Sequence, residues 1–260
     1  MKRKCLLAVV AFLVLALVLP LKATAAVVGR FVMVQGQVDV LKQGKTPGIP
    51  VKLQDGVEPG DVIRTKAKAK AQVQFVDDSL MTLAPESRLA VADYVFDPGS
   101  QVRRATLRFF KGLMHLVVTR HLQLQEPDFI VETVTAVTGV RGTEWYTLLK
   151  PNSTLIYLIQ GLLGVNSSIP QIPALLILEP MQFTEVIRDQ QPRLGRPITP
   201  ADLTMLKKLM DTGVPDSALF QPPGGLTALP PLELMRRPED VIIYVPPTVP
   251  APSHQPSGGR

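Results

Sequence analysis

Two carboxylates, Glu132 and Glu144, are the residues of this sequence that come nearest to an acid–base pair. Acid–base catalysis needs two such groups at a fixed distance, and nothing in their spacing fixes one. The sequence also lacks the Gly-x-Ser-x-Gly and His-Glu-x-x-His motifs of hydrolases. Residues 43–46 match the end of a phosphate-binding loop without its first glycine, which predicts an ordinary turn. These observations predict a protein that is not an enzyme.

Metal-binding residues are few and scattered. The three histidines are His115, His121 and His254, and the only cysteine is Cys5. A zinc site needs three or four ligands with supporting hydrogen bonds. Residues 77–79 supply three oxygen donors, whereas calcium takes six or more. The sequence therefore predicts neither a metal nor another cofactor.

Positive side chains recur on one face of two predicted strands. Lys66, Lys68 and Lys70 would share a face of the first strand, and Arg104 and Arg108 a face of the second. Lysines on an exposed strand discourage edge-to-edge aggregation, and this is the simpler interpretation. The alternative is a contact surface for an anionic envelope partner such as lipopolysaccharide or an acidic glycan, held by charge and weakened by salt.

The first 25 residues have the pattern of a secretory signal peptide. Basic residues at 2–4 precede an apolar run over 6–19, and small residues at 23–25 offer a cleavage site. An uncleaved membrane anchor is the alternative, because the run approaches the length that spans a bilayer. We expect cleavage after Ala25 and a mature protein in the periplasm or cell envelope.

Removal of that segment changes the charge of the protein. It takes away four basic residues and no acidic one, so the formal net charge falls from +6 to +2. A protein this close to neutral lacks the basic surplus typical of nucleic-acid-binding domains. The remainder contains no cysteine, which excludes disulfide bonds, so its stability must come from a hydrophobic core.

Residues 26–190 have the pattern of short strands separated by turns, which predicts one all-β domain. Polar and apolar residues alternate over 66–75, as in a half-buried strand. Pro-Gly pairs within 58–61 and 97–100 predict type II turns, since glycine accepts the positive φ that this turn needs. The pair at 77–78 predicts the tip of a hairpin.

Three segments, 34–38, 110–114 and 159–163, place a polar residue and a glycine between apolar strand residues. Glycine inside a strand pattern marks a bulge or a bend. We therefore predict antiparallel strands that bend around a curved sandwich or roll.

Residues 191–213 are predicted to form a linker and one amphipathic helix. Thr199, Pro200 and Asp202 are typical of a helix start. Apolar residues then recur on one face over 200–211. An isolated helix of this length is marginal in water, so we expect it to pack on the β domain.

Residues 214–260 hold eleven of the 25 prolines, a composition typical of a disordered tail. An apolar island at 241–245, which includes Ile242 and Tyr244, interrupts it. The island would form a strand, added either to the edge of the domain's own sheet or to the sheet of a partner. The sequence leaves both open.

Several of these segments together resemble a known family over residues 28–187. The positions that carry the resemblance include Gly60, Asp61, Thr65, Asp77, Arg141, Gly142 and Thr143. They are similar to the motifs of the FecR domain, the all-β periplasmic module named for the regulator of ferric-citrate uptake. The resemblance implies a structural role for these residues. We expect Arg141, between two glycines, to hold a buried turn through its guanidinium group.

The sequence departs from the family in two ways. The family's hairpin carries Asp-Gly-Ser where residues 77–79 are Asp-Asp-Ser, which a type I′ turn absorbs with some strain. Signalling members of the family begin with a cytoplasmic segment that binds a sigma factor, whereas this sequence opens on a signal peptide. We therefore expect no direct contact with a sigma factor.

The leading prediction is a non-enzymatic, exported binding or scaffolding module of the periplasm or cell envelope. It would contact a protein or an anionic glycan or lipid surface. The candidate contact residues are Lys66, Lys68, Lys70, Arg104, Arg108, Ile242 and Tyr244. The alternatives are an auxiliary periplasmic sensor in a FecR-type signalling system and an envelope hydrolase with an unrecognised site.

Overall fold

The computed structural model describes residues 26–214 except for 101, 121–127, 141 and 173. These residues form eighteen strands, a 3₁₀ turn at Lys42–Gly44 and one helix, α1, at Pro200–Thr212. The strands make two sheets of nine. The prediction of an all-β fold with a single helix near the end of the domain is confirmed.

Sheet I contains β1 (Gly29–Gln35), β4 (Gly56–Val57), β6 (Lys70–Phe75), β7 (Leu80–Leu83), β10 (Leu113–Val117), β13 (Glu144–Lys150), β14 (Ser153–Gln160), β17 (Gln182–Ile187) and β18 (Arg196–Pro197). Sheet II contains β2 (Val38–Leu41), β3 (Ile49–Pro50), β5 (Val62–Thr65), β8 (Arg88–Asp97), β9 (Val102–Lys111), β11 (Phe129–Glu132), β12 (Ala136–Val140), β15 (Leu163–Ser167) and β16 (Leu176–Leu178). Their spatial orders are β18-β17-β14-β13-β10-β7-β6-β1-β4 and β16-β15-β12-β11-β9-β8-β5-β2-β3. Strands β9 and β11 are parallel, and the other neighbours are antiparallel.

The chain changes sheet at the glycines that the sequence singled out. Gly36, Gly112 and Gly161 lie between β1 and β2, β9 and β10, and β14 and β15, and each pair of strands is divided between the two sheets. Their φ angles are 69°, 100° and 94°. At Gly112 a Cβ atom would lie 2.1 Å from Ser87 Oγ, so a larger residue does not fit. The predicted bends are confirmed, and they carry the chain from one sheet to the other.

The main hydrophobic core fills the space between the sheets. Alternation along each strand sends every second side chain inward. Phe31, Phe109, Phe129 and Trp145 are among the fully buried residues. The indole N–H of Trp145 donates to Thr147 Oγ1 at 3.0 Å, so the polar atom of this large side chain is satisfied inside the core.

Helix α1 covers part of the outer face of sheet I. Thr199 and Asp202 form a capping box, in which the Asp202 N–H donates to Thr199 Oγ1 and the Thr199 N–H donates to the Asp202 carboxylate. Leu206 and Met210 are buried. They close a second apolar cluster with Ala84, Leu113, Leu148, Leu155, Tyr157, Ile198 and Val214. The helix and its packing are confirmed, and the helix ends one residue later than predicted.

The strand predicted over 66–75 is too long, because β6 begins at Lys70. The Ala69 N–H donates to the Lys66 carbonyl at 3.1 Å, and Lys68 has a φ of 58°, so residues 66–69 form a turn. The chain crosses here from β5 in sheet II to β6 in sheet I. Because the alternation of polar and apolar residues continues through this crossing, it predicted a strand longer than β6.

One of the two predicted type II turns is confirmed and the other is wrong. Gly60 has a φ of 90°, and the Asp61 N–H donates to the Glu58 carbonyl at 3.1 Å. Gly99 is absent from the positive-φ residues. Its N–H donates instead to the Asp97 carboxylate at 2.9 Å, a side-chain turn that requires no left-handed residue.

The hairpin tip between β6 and β7 lies where it was predicted, but it is not a type I′ turn. That turn needs positive φ at two successive residues, and here only Asp78 has it, at 62°. The Asp78 N–H donates to the Phe75 carbonyl at 3.1 Å, and the Phe75 N–H to the Ser79 carbonyl at 2.9 Å. The aspartate therefore occupies a left-handed position that it tolerates better than most residues.

Several predicted features lie outside the described residues: the signal peptide at 1–25, Arg141, and the tail beyond Val214 with Ile242 and Tyr244. Where the structure does describe the chain, no helix combines the length and the apolar character needed to cross a membrane.

Candidate functional site

A buried ionic cluster lies next to the hairpin tip, and we name it the Arg103 cluster. Asp77 accepts hydrogen bonds from Ser79 Oγ at 2.7 Å, from the Tyr94 hydroxyl at 2.6 Å and from Arg103 Nη1 at 2.8 Å. Arg103 also donates two bonds of 2.7 Å to Asp128. The side chains of Arg103 and Asp77 are fully buried.

The Arg103 cluster joins the two sheets. Asp77 belongs to a turn of sheet I, whereas Tyr94 and Arg103 lie on β8 and β9 of sheet II. Burial raises the pKa of Tyr94, and the charge of Asp77 raises it further, so the hydroxyl remains a donor. Because its charged groups are buried and paired with each other, the cluster acts as a structural tie between the sheets.

Sequence reasoning included Asp77 but missed Arg103, Tyr94 and Asp128. The available signal was the position of Arg103, which alternates with the inward residues Ala105 and Leu107 along β9. An arginine on an inward face requires carboxylate partners.

The family-motif residue Asp61 is a second structural centre. Its fully buried carboxylate accepts from Lys42 Nζ at 2.8 Å and from the Glu58 N–H at 2.9 Å. Burial alone would lower the pKa of Lys42, but the charges of Asp61 and Glu58 outweigh that effect and raise it. The arrangement fixes the turn before β5.

Two further motif threonines make structural hydrogen bonds. Thr65 Oγ1 donates to the Ala84 carbonyl at 2.6 Å. Thr143 Oγ1 donates to the Leu162 carbonyl at 3.0 Å, next to the left-handed Gly142 at the crossing from sheet II to sheet I. These bonds hold strand ends where the chain changes sheet.

Four of the five predicted contact cations are engaged in ion pairs. The pairs are Lys66–Asp39 at 3.1 Å, Lys70–Asp211 at 2.7 Å, Arg104–Asp93 at 2.7 Å and Arg108–Glu132 at 2.7 Å. Lys68 is exposed in the turn before β6. The prediction that the three lysines share a strand face is wrong, since Lys66 and Lys68 precede the strand. Carboxylates on other strands and on α1 pair with these cations, so the expected rows of positive charge are interrupted.

The two carboxylates considered for acid–base chemistry are not brought together. Glu132 pairs with Arg108 in sheet II, while Glu144 lies in sheet I at 3.0 Å from His115 Nε2. The His115 ring stacks on Tyr146 with 4.2 Å between ring centres. Burial lowers the pKa of His115, and the charge of Glu144 opposes the shift only in part.

No group of three histidine, cysteine or acidic residues in the described ranges could hold a metal ion. His121 and His254 lie outside those ranges. The stretch 43–46 overlaps the 3₁₀ turn at Lys42–Gly44, and the next element is β3 rather than a helix, as expected of an ordinary turn.

A cleft of about 300 Å³ opens at the end of the sandwich where β3 and β4 form the sheet edges. Its apolar lining consists of Val27, Phe31, Val40, Ile49, Pro50 and Val51, and its charged lining of Arg30, Lys42, Asp55 and Glu58. Phe31 and Val40 belong to the core, so the cleft reaches into the space between the sheets. Val27 and Ile49 are 41% and 55% exposed at its mouth.

One stretch of the chain matches a known protein family. The family model described as FecR protein matches residues 61–163, from Asp61 to Leu163 at the start of β15. This stretch of the chain is similar to the FecR domain. The Arg103 cluster lies within the matched residues, whereas the residues that line the cleft precede them.

The chain also resembles a protein of known structure. Two crystal structures of a protein from Parabacteroides distasonis ATCC 8503, described as a "putative anti-sigma factor" and determined at 1.65 and 2.50 Å, are similar to it. Each has a TM-score of 0.43 and 17% sequence identity, over 55% of this chain and 62% of that chain. The chain thus matches less than two thirds of their length, and a likeness at this level says nothing of function. No curated protein matches the sequence.

Proposed function

We propose that this FecR-domain protein is an exported, non-enzymatic binding module of the cell envelope that takes an extended segment of a partner protein into the cleft. The FecR match supports, at a coarser level, a sensor or signalling role at the envelope. The observation that carries the finer proposal is the cleft itself, because it combines apolar walls with two sheet edges.

The edges next to the cleft are suited to strand addition. Strand β3 pairs with β2 at two positions, and β4 pairs with β1 at two positions. A short edge strand leaves backbone donors and acceptors beyond its ends for an incoming strand. Main-chain hydrogen bonds would supply affinity, and the cleft would select apolar side chains.

The side chains at the mouth of the cleft favour an apolar segment over a charged one. Val27 and Ile49 are exposed there, and exposed apolar residues beside a concave surface are typical of contact sites. The charged residues at the rim already have partners. Lys42 lies 3.4 Å from Glu58, and Arg30 Nη1 donates to the Gln54 carbonyl at 3.1 Å.

The two carboxylates considered for a hydrolase lie away from the cleft. Glu132 is held in an ion pair with Arg108 and Glu144 in a hydrogen bond with His115, and neither lines the cleft. A broad anionic polymer is a weaker candidate for the partner, because carboxylates neutralise Lys66 and Arg104, among the predicted contacts.

A second candidate function is an auxiliary sensor that passes a state to a membrane protein in a FecR-type signalling system. The FecR match favours it. Both functions use the same cleft and the same strand addition, so the identity of the partner distinguishes them.

Photo-crosslinking in cells tests the proposal. A photoreactive amino acid replaces Ile49 in the full chain, and Val95, a similarly exposed residue on β8, is the matched control. We expect position 49 to capture one discrete envelope protein and position 95 to capture none. A membrane signalling protein would select the sensor function, and another envelope protein the binding module.

Three results would contradict the proposal. Equal capture from positions 49 and 95 would show that the cleft is not selective. A crosslink from position 49 only to residues 241–245 would show that the tail of the same chain fills the cleft. Recovery of the protein from the cytosol would exclude export.

A further inference from the structure

Three cationic residues occupy directly opposite positions on three neighbouring strands of sheet II. Arg64 on β5 is the cross-strand partner of Arg88 on β8, and Arg88 is the partner of Lys111 on β9. Side chains at such positions begin about 5 Å apart, and like charges placed there destabilise a sheet. We name this row the cation ladder.

Carboxylates neutralise the two ends of the cation ladder. The Arg64 guanidinium donates two hydrogen bonds to Asp39, of 2.5 and 2.8 Å. Lys111 Nζ lies 3.3 Å from a carboxylate oxygen of Glu86. Asp39 is also shared with Lys66, at 3.1 Å.

The central arginine of the ladder has no such partner among the residues that the structure describes. Arg88 forms no ion pair there, and its Nε atom is buried without a hydrogen-bond partner. Its guanidinium lies 5.8 Å from the centre of the Phe110 ring. Burial lowers the pKa of Arg88, and the charge of Arg64 lowers it further, yet an arginine keeps its proton. Within the described part of the chain, this positive charge is therefore held in place without a counter-ion.

The charge of the site selects the kind of anion. Arg64, Lys66 and Arg88 contribute three positive charges, and Asp39, which Arg64 and Lys66 share, returns one negative charge, which leaves +2 on these residues. A phosphate monoester carries about −1.5 to −2 near neutral pH, whereas a carboxylate carries only −1. The planar guanidinium fork also matches a phosphate with two parallel hydrogen bonds.

We propose that Arg88, flanked by Arg64 and Lys111, binds a phosphate group on the outer face of sheet II. The inference goes beyond the proposed function, because it concerns a different surface and a different ligand. The phosphate could be free in solution or carried as a monoester on a lipid headgroup, and the same three cations would hold it in either case.

Titration of the full chain with inorganic phosphate tests the site directly. The measured signal is the arginine Nε–Hε resonance in ¹H–¹⁵N NMR spectra, with sodium chloride adjusted to keep the ionic strength constant. We expect the Arg88 signal to shift and saturate. Arg88→Gln should weaken phosphate binding at least about tenfold, since charge-assisted hydrogen bonds are lost.

Two further variants serve as controls. Arg104→Gln removes an exposed arginine paired with Asp93 and should leave phosphate affinity unchanged. Arg88→Lys keeps the charge but loses the fork, so it should bind with intermediate affinity even if Arg88→Gln folds poorly. A shift that never saturates, or equal affinity in wild type and Arg88→Lys, would overturn the proposal.

Two further measurements identify the charge state of the bound phosphate and its source. The first changes the pH, and the second offers the phosphate on a lipid membrane. Lowering the pH from about 7.5 to 5.5 should weaken binding, because phosphate then loses its second charge. Phosphatidylcholine vesicles with and without phosphatidic acid supply the monoester on a lipid. Retention by phosphatidic acid that Arg88→Lys reduces would place the ligand on a membrane, and saturable binding of inorganic phosphate without such retention would place it in solution. Vesicle retention that neither Arg88 variant changes would contradict the site.

Discussion

The outer faces of the two sheets differ in what covers them. On sheet I, α1 buries Leu148 and Leu155 beneath Leu206 and Met210. On sheet II, outward positions carry Arg64 and other charged residues that pair mainly across strands. The first face contributes to stability by burying apolar surface, whereas the second carries charged residues beside a small buried cluster of Leu41, Val62 and Ala90.

The difference shows that the alternation of polar and apolar residues along a strand does not reveal whether the outer face of the sheet is covered. Strands in both sheets send every second residue inward, so the inward pattern is the same. The outward residues differ: β13 and β14 place leucines there, and β5 and β8 place arginines. Leucines at outward positions predict a covering element, and arginines predict a face without one.

The largest expected effect is the loss of stability when the buried Arg103 cluster is broken. It is compared with the loss when an exposed ion pair is broken. Arg103→Met should lower the free energy of unfolding by about 3–5 kcal/mol, because Asp77 and Asp128 would remain buried without their partner. Arg104→Met is the neighbouring control and should cost at most about 1 kcal/mol, since its pair with Asp93 is exposed. Urea unfolding measures both. Equal losses would show that the Arg103 cluster is no tie.

The next effect tests the covered face of sheet I. Leu206→Ala should cost about 2–5 kcal/mol, because it opens a cavity between α1 and the sheet. Met205→Ala, one residue earlier and 37% exposed, should change stability by no more than about 0.5 kcal/mol. The same urea experiment compares them. A small loss of stability in Leu206→Ala would mean that the packing of α1 on sheet I contributes little to the free energy of unfolding.

The smallest effect is a pH dependence on sheet I. Burial holds the pKa of His115 below its usual value of 6.5, and Glu144 only partly opposes this. The unfolded chain therefore binds a proton more readily than the folded one. Stability from this group is present above pH 6.5 and is lost as the pH falls through the folded pKa.

Thermal unfolding at several pH values checks the histidine prediction. The wild-type midpoint should fall faster between about pH 6.5 and 5 than that of His115→Gln, which cannot titrate there. Parallel curves for the two proteins would contradict the assignment.

The elements that the sequence predicted well depend on local signals. The start of α1 follows from Thr199, Pro200 and Asp202, which act within one turn. The bends at Gly112 and Gly161 follow from a residue type that accepts positive φ. Such signals need no knowledge of distant strands.

The features that the sequence missed depend on pairing between distant segments. Asp128 meets Arg103 across 25 positions of sequence, and Asp39 meets Arg64 across the same separation. The cleft depends on which strands end each sheet, and the order of nine strands does not follow from their individual patterns. For the same reason, the ion partners that divide the predicted lysine and arginine stripes were not foreseen.

The dissociation constant of the partner captured at position 49 tests the central claim most directly. It should be measured for the wild type, for Ile49→Asp in the cleft and for Met205→Asp on α1, both exposed apolar positions in the described structure. We expect at least about tenfold weaker binding for Ile49→Asp and no change for Met205→Asp. Wild-type affinity in Ile49→Asp would contradict it.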